Sequence, residues 1–287
     1  MRKYILLVIL LLLIAFGVVS EMTKPPTLVK RIIATVGGTE AQYKLGNELR
    51  LDGYYAEAAK WYAKAVEKGH LKAHHNLAIM YHDGLGVNQD YAKALALRQF
   101  LLANGFTQAY YDLGFMYYEG SGVEQDYAKA VELFEKGAEA GDRHAQHLLG
   151  YIYFNGESVK RDYAKAATWY LKAAENGVAE AWYDIGYMYY GGYGVARDYT
   201  KALEWFLKAA NAGDSAGMYA IADMYRYGNG ITQDYEKAFE LYQQAVAHGE
   251  NAGYLALAEM YRKGLGVSQN EAKALEFEAR YESLENQ

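Results

Sequence analysis

The chain has 287 residues, of which 52% are hydrophobic, 30 are tyrosine and none is cysteine. It can therefore build a substantial core, whereas a disulfide scaffold, a thiol nucleophile and a cysteine-ligated zinc or iron–sulfur site are excluded. Residues 1–39 hold five of the 29 basic and one of the 35 acidic residues, which leaves residues 40–287 with 24 bases, 34 acids and a net charge of −10 that argues against nucleic-acid binding.

Residues 1–20 have the pattern of an export signal. Arg2 and Lys3 precede the uncharged run 4–19, and Ser20 follows it. A basic start before an apolar run of this length is typical of a cleaved signal peptide and of an uncleaved anchor, so membrane attachment through residues 4–19 is an alternative to cleavage. Residues 21–39, which contain both prolines of the chain, are predicted to be a linker. We expect the remainder of the chain to lie outside the cytoplasm.

From residue 40 onward the sequence repeats with a period of 36 residues. Two glycine columns and one tyrosine column show the period: Gly69, Gly105, Gly141, Gly177, Gly213 and Gly249; Gly84, Gly120, Gly156, Gly192, Gly228 and Gly264; Tyr55, Tyr91, Tyr127, Tyr163, Tyr199 and Tyr235. A fixed period of this length indicates a stack of identical supersecondary units.

Each unit is predicted to be a helical hairpin. In residues 106–141 one helical face, which ends at Gly120, consists of Ala109, Leu113, Met116 and Tyr117. A second helix follows the N-cap Asp126 and ends at Gly141. We name these helix A and helix B. Close approach of the two is expected at a column of small residues, Ala78, Gly114, Gly150, Gly186, Ala222 and Ala258. Because no hairpin buries its apolar face alone, the units must stack into an all-α solenoid.

The motif Ala-x3-Leu-Gly-x2-Tyr-x2-Gly-x-Gly-Val-x2-Asp-x2-Lys-Ala-x9-Ala-x-Gly resembles the Sel-1-like repeat, a branch of the tetratricopeptide superfamily. Six such repeats are predicted, at 70–105, 106–141, 142–177, 178–213, 214–249 and 250–285. Residues 40–69 lack the four-residue Gly-x-Gly-Val insertion and resemble an ordinary tetratricopeptide hairpin. The resemblance implies a right-handed α-solenoid of one tetratricopeptide-like hairpin and six Sel-1-like repeats.

Motifs for catalysis and metal binding are weak. The string Gly213–Gly217 matches the G-x-S-x-G nucleophile elbow, but that motif needs a preceding strand and here a helix is predicted. His75 and His147 share one column two repeats apart, too far for one metal ion. We therefore expect no enzyme activity, no cofactor and no metal site.

A second face of helix A carries the functional prediction. Leu113 and Tyr117 are assigned to the core, whereas Tyr111 and its column lie on a different face. In tetratricopeptide arrays, which this chain resembles, these columns line the concave groove that receives peptides. The candidate groove residues are Tyr111, Phe115, Tyr118, His147, Tyr151, Phe154, Tyr183, Tyr187, Tyr190, Asp223 and Arg226. The alternative is that tight curvature packs these rings against neighbouring helices.

The sequence thus favours an exported, non-enzymatic scaffold that binds a protein or peptide partner on this groove. A bacterial periplasm, or a membrane anchor facing it, is the expected location. A different class of function is a factor that binds or processes a cell-envelope glycan or peptidoglycan. In that case the aromatic rings would stack on sugars, and carboxylates such as those of Asp223 and Glu259 would act on the polymer. These acids have no paired carboxylate at a defined spacing, which favours the scaffold.

Overall fold

The computed structural model describes residues 28–156 and 159–285. The predicted export signal, 1–20, lies outside the described residues, as does most of the predicted linker. The described residues form fifteen α-helices and no strand, which confirms the all-α hairpin prediction. None of these helices is long and apolar enough to cross a membrane. The chain divides into two compact units, one ending at Ala140 and the other beginning at Gly141.

Unit one consists of helices that each pack against the next along the chain. They are α1 (Leu28–Val36), α2 (Gly38–Leu51), α3 (Tyr55–Val66), α4 (Leu71–Asp83), α5 (Tyr91–Ala103), α6 (Ala109–Glu119) and α7 (Tyr127–Glu139). Helix α1 corrects the predicted linker 21–39, because from Leu28 that segment is helical and packs on α2. Its Ala34 is fully buried, and Arg31 Nη2 donates to Glu57 Oε2 of α3 at 2.9 Å.

Unit two contains four hairpins whose helices also pack consecutively. They are α8 (Arg143–Asn155), α9 (Tyr163–Glu175), α10 (Glu180–Gly191), α11 (Tyr199–Asn211), α12 (Ser215–Tyr227), α13 (Tyr235–Ala247), α14 (Ala252–Lys263) and α15 (Glu271–Glu285). In the last hairpin Glu278 stands where most repeats have an aromatic residue, and its carboxylate accepts two hydrogen bonds from Arg262, at 2.9 and 2.8 Å.

Helix boundaries follow the repeated motif. In five repeats the predicted aspartate caps helix B, because its Oδ1 accepts from the main-chain N–H three residues later; these are Asp90, Asp126, Asp162, Asp198 and Asp234. Helix A ends at a glycine in the left-handed region, as at Gly192, whose φ is +74°. The N–H of Gly192 closes the helix on Met188 O at 2.9 Å.

The second glycine of Gly-x-Gly is required by a close contact between repeats. Gly194 has a φ of +69°, and a Cβ there would overlap the main-chain oxygen of Tyr163 in the preceding repeat. The same contact joins Gly86 to Tyr55 and Gly266 to Tyr235. The inter-helix loop of one repeat therefore lies directly on the start of helix B in the repeat before it.

The small-residue column brings helices A and B together as predicted. A Cβ on Gly114 would lie 2.5 Å from Cε1 of Phe134, so only glycine leaves room for that buried ring. The core assignment holds for Leu113 but not fully for Tyr117, which packs on the core cluster yet stays half-buried. The fully buried column is that of Met116, since a tyrosine hydroxyl needs a polar or solvent-facing partner.

Candidate partner-binding face

In unit two the candidate rings lie on α8 and α10 and share one surface, which we name the aromatic face: Tyr151, Phe154, Tyr183, Tyr187 and Tyr190. None of these side chains is fully buried, and Tyr151 and Tyr187 are 47% and 38% exposed. The other three are half-buried.

Two of the half-buried rings, those of Tyr183 and Tyr190, rest on the aromatic side chain that fills their hairpin. The ring centroids of Tyr183 and Phe206 are 5.7 Å apart, and those of Tyr190 and Phe206 are 6.3 Å apart. Packing against neighbouring helices, the alternative interpretation, thus applies to one side of these rings. Their other sides, with the more exposed Tyr151 and Tyr187, remain on the surface.

Two cavities flank Tyr183 and Tyr187. One, of about 230 Å³, is lined by Tyr151, Phe154, Asn155, Tyr170, Tyr183, Asp184, Tyr187 and Met188. The other, of about 180 Å³, we name the tyrosine cavity; it is lined by Tyr183, Tyr187, Tyr190, Phe206, Tyr219, Ala220 and Asp223. Larger hollows beside Phe277 and beside Lys160 have only two aromatic side chains each. Concave shape and dense aromatic lining therefore coincide at the aromatic face.

Burial also fixes the protonation state of the cavity phenols. It raises the pKa of Tyr183 and the pKa of Tyr219 to about 12 in each case. Phenols are already neutral at physiological pH, and the raised pKa keeps both side chains uncharged into strongly alkaline solution.

Asp223 and Arg226, both on α12, have different surroundings. The Tyr242 hydroxyl donates to Asp223 Oδ1, and burial raises the pKa of this carboxyl even though Tyr242 and Arg226 act in the opposite direction. Arg226 is 7% exposed and forms an ion pair with Glu259 of the next repeat. Asp223 thus lines the tyrosine cavity, whereas the guanidinium of Arg226 is occupied in holding α12 to α14.

Tyr193 belongs to the aromatic face and was missed by the sequence analysis. It occupies the middle of Gly192-Tyr193-Gly194, and its ring stacks on Tyr187 with centroids 5.4 Å apart. It also meets Phe154 of the preceding repeat edge-on, at 6.2 Å. The sequence did single out Tyr193 in one way, because no other repeat has an aromatic residue at this loop position.

Two of the histidines predicted as groove-lining or solvated contact acids in the following repeat, and their side chains stay partly exposed. His147 Nε2 lies 2.7 Å from Asp184 Oδ2, and His75 Nδ1 lies 3.1 Å from Asp112 Oδ2. The two pairs are equivalent contacts, 72 residues apart in the sequence. Across the described residues no group of three or more histidine, aspartate or glutamate side chains could hold a metal ion.

In unit one the equivalent residues are Tyr111, Phe115 and Tyr118 on α6, all half-buried. Phe115 meets Phe134 edge-on at 5.3 Å, and Tyr118 meets Tyr127 at 5.2 Å. They contact the aromatic residues of their own hairpin, as the rings of unit two do.

Arg98 is a buried charge in the preceding hairpin. It replaces the helix-B aromatic residue found at Phe134, is 5% exposed, and its Nε and Nη1 have no hydrogen-bond partner. Burial lowers the pKa of its guanidinium.

The G-x-S-x-G string has a structural role. Asp214 caps α12 by accepting from the main-chain N–H groups of Ala216 and Gly217, at 2.8 and 3.3 Å. Gly217 is packed against Ala209 of α11. As predicted, a helix, α11, precedes the string, whereas a nucleophile elbow requires a strand at that place.

Tandem helical hairpins with a glycine loop define a class of helical repeat protein, and comparison with known families identifies the class. The Sel1 repeat family matches at residues 39–70, 71–97, 107–142, 143–178, 179–214, 215–250 and 252–277. The chain therefore belongs to the Sel1 repeat family. The first hairpin, expected to be an ordinary tetratricopeptide hairpin, is also matched as a Sel1 repeat, so the family match counts seven.

Solved structures with the same fold come from bacteria and an archaeon. A protective antigen of uropathogenic Escherichia coli with the SLR fold is 35% identical (TM-score 0.79); the match covers 89% of this chain but 56% of the antigen, so this chain spans little more than half its length. A Sel1 repeat protein from Oxalobacter formigenes is 31% identical over 84% of this chain and 99% of its own (TM-score 0.70).

A signal-transduction ATPase with a tetratricopeptide repeat sensor from Pyrococcus horikoshii shares the fold alone, at 17% identity and TM-score 0.56 over 88% of this chain and 43% of its own. No functionally curated protein matches the sequence. Sel1 and tetratricopeptide repeat proteins typically mediate protein–protein interactions and are generally non-catalytic.

Proposed function

We propose that this protein is an exported, non-enzymatic scaffold that binds a protein or peptide partner on the aromatic face. The observation that carries the proposal is the pair of adjacent cavities on either side of Tyr183 and Tyr187. Exposed tyrosines supply large contact area at low entropic cost, because each ring has few rotatable bonds. Contiguous exposed aromatic surface on a folded protein is typical of a recognition site.

Export is proposed from the N-terminal sequence. The basic start and the apolar run 4–19 have the pattern of a signal peptide or anchor. A bacterial periplasm, reached either by cleavage near Ser20 or by anchoring, is the proposed location. A partner would then meet the repeats on the periplasmic side of the membrane.

The glycan-processing alternative is less favoured by the contacts of the acids it would use. Asp223 accepts the hydroxyl of Tyr242, and Glu259 pairs with Arg226 and, at 2.7 Å, with Lys263. Glycoside hydrolysis needs two carboxyls that face one bond, one of them free to donate a proton. Asp223 thus accepts a hydrogen bond within its own hairpin and Glu259 is engaged by two cations, which leaves binding as the better-supported function.

Site-specific photocrosslinking in the native cell tests the proposal. A photoreactive phenylalanine analogue replaces Tyr187 or Tyr151, and the matched control replaces Leu207, which is 43% exposed on α11 outside the cavity linings. We expect the same partner to be trapped from Tyr187 and Tyr151 and not from Leu207. Adducts that form equally at all three positions, or only at Leu207, would refute binding on the aromatic face.

A further inference from the structure

The tyrosine cavity has a chemistry that the proposed partner-binding function leaves unspecified. Resting on that proposed function, we propose that the cavity is a cation subsite that receives the side chain of a lysine or arginine from the partner protein. Its walls are the aromatic rings of α10, α11 and α12, and a single carboxylate, that of Asp223, lies among them.

The rings provide the first half of the recognition. Tyr183, Tyr187, Tyr190, Phe206 and Tyr219 all line the space. A ring face carries partial negative charge, so several rings around one small cavity attract an ammonium or guanidinium group. Tyr183 and Tyr219 are neutral phenols, so their attraction for a cation comes from the aromatic rings and not from a phenolate charge.

Asp223 provides the second half. Its Oδ1 accepts the hydroxyl of Tyr242, which holds the carboxylate in place. The neighbouring Arg226 is paired with Glu259, and no lysine, arginine or histidine within the described residues forms a salt bridge to Asp223. The acid that lines the adjacent cavity, Asp184, is already in contact with His147. Asp223 therefore forms no salt bridge of its own, although the charge of Arg226 acts on it, and a cationic partner side chain in the cavity would be its first direct ion pair.

Charge and size exclude the other occupants. An apolar side chain in the cavity would strip water from Asp223 and leave its charge unpaired, which is strongly unfavourable. An acidic side chain would meet like charge. The cavity volume of about 180 Å³ accommodates the end of a lysine or arginine but not a bulky aromatic pair. The net charge of −10 over residues 40–287 attracts basic partners from a distance.

A single-charge peptide series tests the proposal on the full chain. The probe is acetyl-Gly-Ser-Arg-Ser-Gly-amide, and its matched control has citrulline, which is the neutral isostere of arginine, at the central position. Ligand-observed NMR titrations measure the affinity of each. We expect the arginine peptide to bind about tenfold more tightly than the citrulline peptide, since cation–π contacts and a desolvated ion pair both require the charge. Equal affinities would overturn the proposal.

Two variants locate the site. Asp223→Asn keeps an acceptor for Tyr242, and Tyr187→Ala removes one wall; each is expected to weaken the arginine peptide about fivefold or more. Glu204→Gln, on α11 outside the cavity lining, removes the same charge and is expected to change the affinity less than about twofold. If Glu204→Gln weakens binding as much as Asp223→Asn, the attraction is non-specific and the cation subsite is refuted.

The outcome separates this proposal from the proposed function. A partner trapped at Tyr187 and Tyr151, together with no difference between arginine and citrulline peptides, would retain the aromatic face as a docking surface and reject only the cation subsite. Failure to trap any partner at those positions would reject the docking function itself and, with it, a partner side chain in the cavity.

Discussion

Tyr151 and Tyr170 belong to the same hairpin, and they differ in how much of each ring meets water. Tyr170 is 4% exposed and covers Gly150, whose missing Cβ makes room for its ring. Tyr151 is 47% exposed at the rim of a cavity. One ring is therefore part of the structure of the hairpin, and the other is available for contact with a partner.

Truncation to alanine should have different effects on stability and binding at the two positions. Tyr170→Ala is expected to lower the free energy of unfolding by about 3 to 5 kcal/mol, because it leaves a cavity inside the hairpin. Tyr151→Ala is expected to cost about 1 kcal/mol or less in stability and about 1 to 3 kcal/mol in partner affinity. Denaturant unfolding and partner titration measure the two quantities. Similar stability losses for both variants would mean that Tyr151 is a core residue.

Asp223 is expected to lower the stability of the fold at neutral pH while it contributes to binding. Its pKa is raised by burial above the value in the unfolded chain, so at neutral pH the ionised carboxyl destabilises the fold, and the lost stability returns as the pH falls through the folded-state pKa. We expect Asp223→Asn to have a higher melting temperature than the natural chain at pH 7, with the difference shrinking in acid. Glu204→Gln is the control, for which no such pH-dependent gain is expected. A lower melting temperature for Asp223→Asn at pH 7 would contradict this.

The sequence predicted some of the single-residue contacts and not others. Tyr151 and Tyr187 belong to one column, which could be placed on one helical face from its spacing alone. Tyr193 could not, because a loop residue has no periodicity and its contact with Phe154 depends on how one repeat lies on the last. The ion pair of Arg226 with Glu259 was missed for the same reason, since it depends on the distance between helices of different repeats.

The elements were predictable because each helix carries its own start and stop signals and the signals recur. Asp126 and its equivalents cap helix B, and glycines end helix A, so a period in the sequence becomes a period in the structure. Helix α1 was not predicted because it precedes the array and has no second copy to compare. Its place in the fold depends on contacts with α2 and on the Arg31–Glu57 pair.

The inter-repeat loop contact predicts unequal effects for two glycines of similar backbone conformation. Gly177 has a φ of +80°, and a methyl group added there would have nothing within 4 Å, whereas a methyl group on Gly194 would overlap the main chain of Tyr163. Gly177→Ala should cost about 1 kcal/mol, from backbone conformation alone. Gly194→Ala should cost at least about 1 to 3 kcal/mol more, because the loop must move off the preceding repeat. Equal losses in denaturant unfolding would disprove the contact.

The hairpin of α4 and α5 should be improved by restoring the aromatic residue of the repeat. Arg98 is buried with unpartnered guanidinium nitrogens, while Tyr242 shows that a ring fits at this position even where the facing small residue is alanine, Ala222. Arg98→Phe is therefore expected to raise the free energy of unfolding by about 1 to 3 kcal/mol, since it removes an unpaired buried charge. Arg98→Ala, which removes the charge but leaves a void, should gain less. A destabilised phenylalanine variant would show that the acids near Arg98 hold it favourably.

At the scale of the whole molecule, each repeat contributes the same scaffold and a different surface. Asp caps, loop glycines and buried methionines recur through both units, so they carry the fold and little specificity. The variable positions of helix A hold histidines in one repeat, tyrosines in another, and Asp223 in a third. A stacked array of this kind can change its partner by changing these positions without changing its core.

The location of the molecule decides which partners it can meet, and the N-terminal sequence makes a direct prediction. We expect the full chain in the exported or membrane fraction, either beginning near Glu21 after cleavage or retaining Met1 in the membrane. Leu11→Arg with Leu12→Arg should hold the protein in the cytosol, because two charges in the middle of the apolar run block its insertion. Leu51→Arg, at a position that is 76% exposed, adds charge outside the run and should leave export unchanged. Cell fractionation with N-terminal sequencing measures each case, and an unmodified chain found in the cytosol with Met1 intact would end the proposal of export.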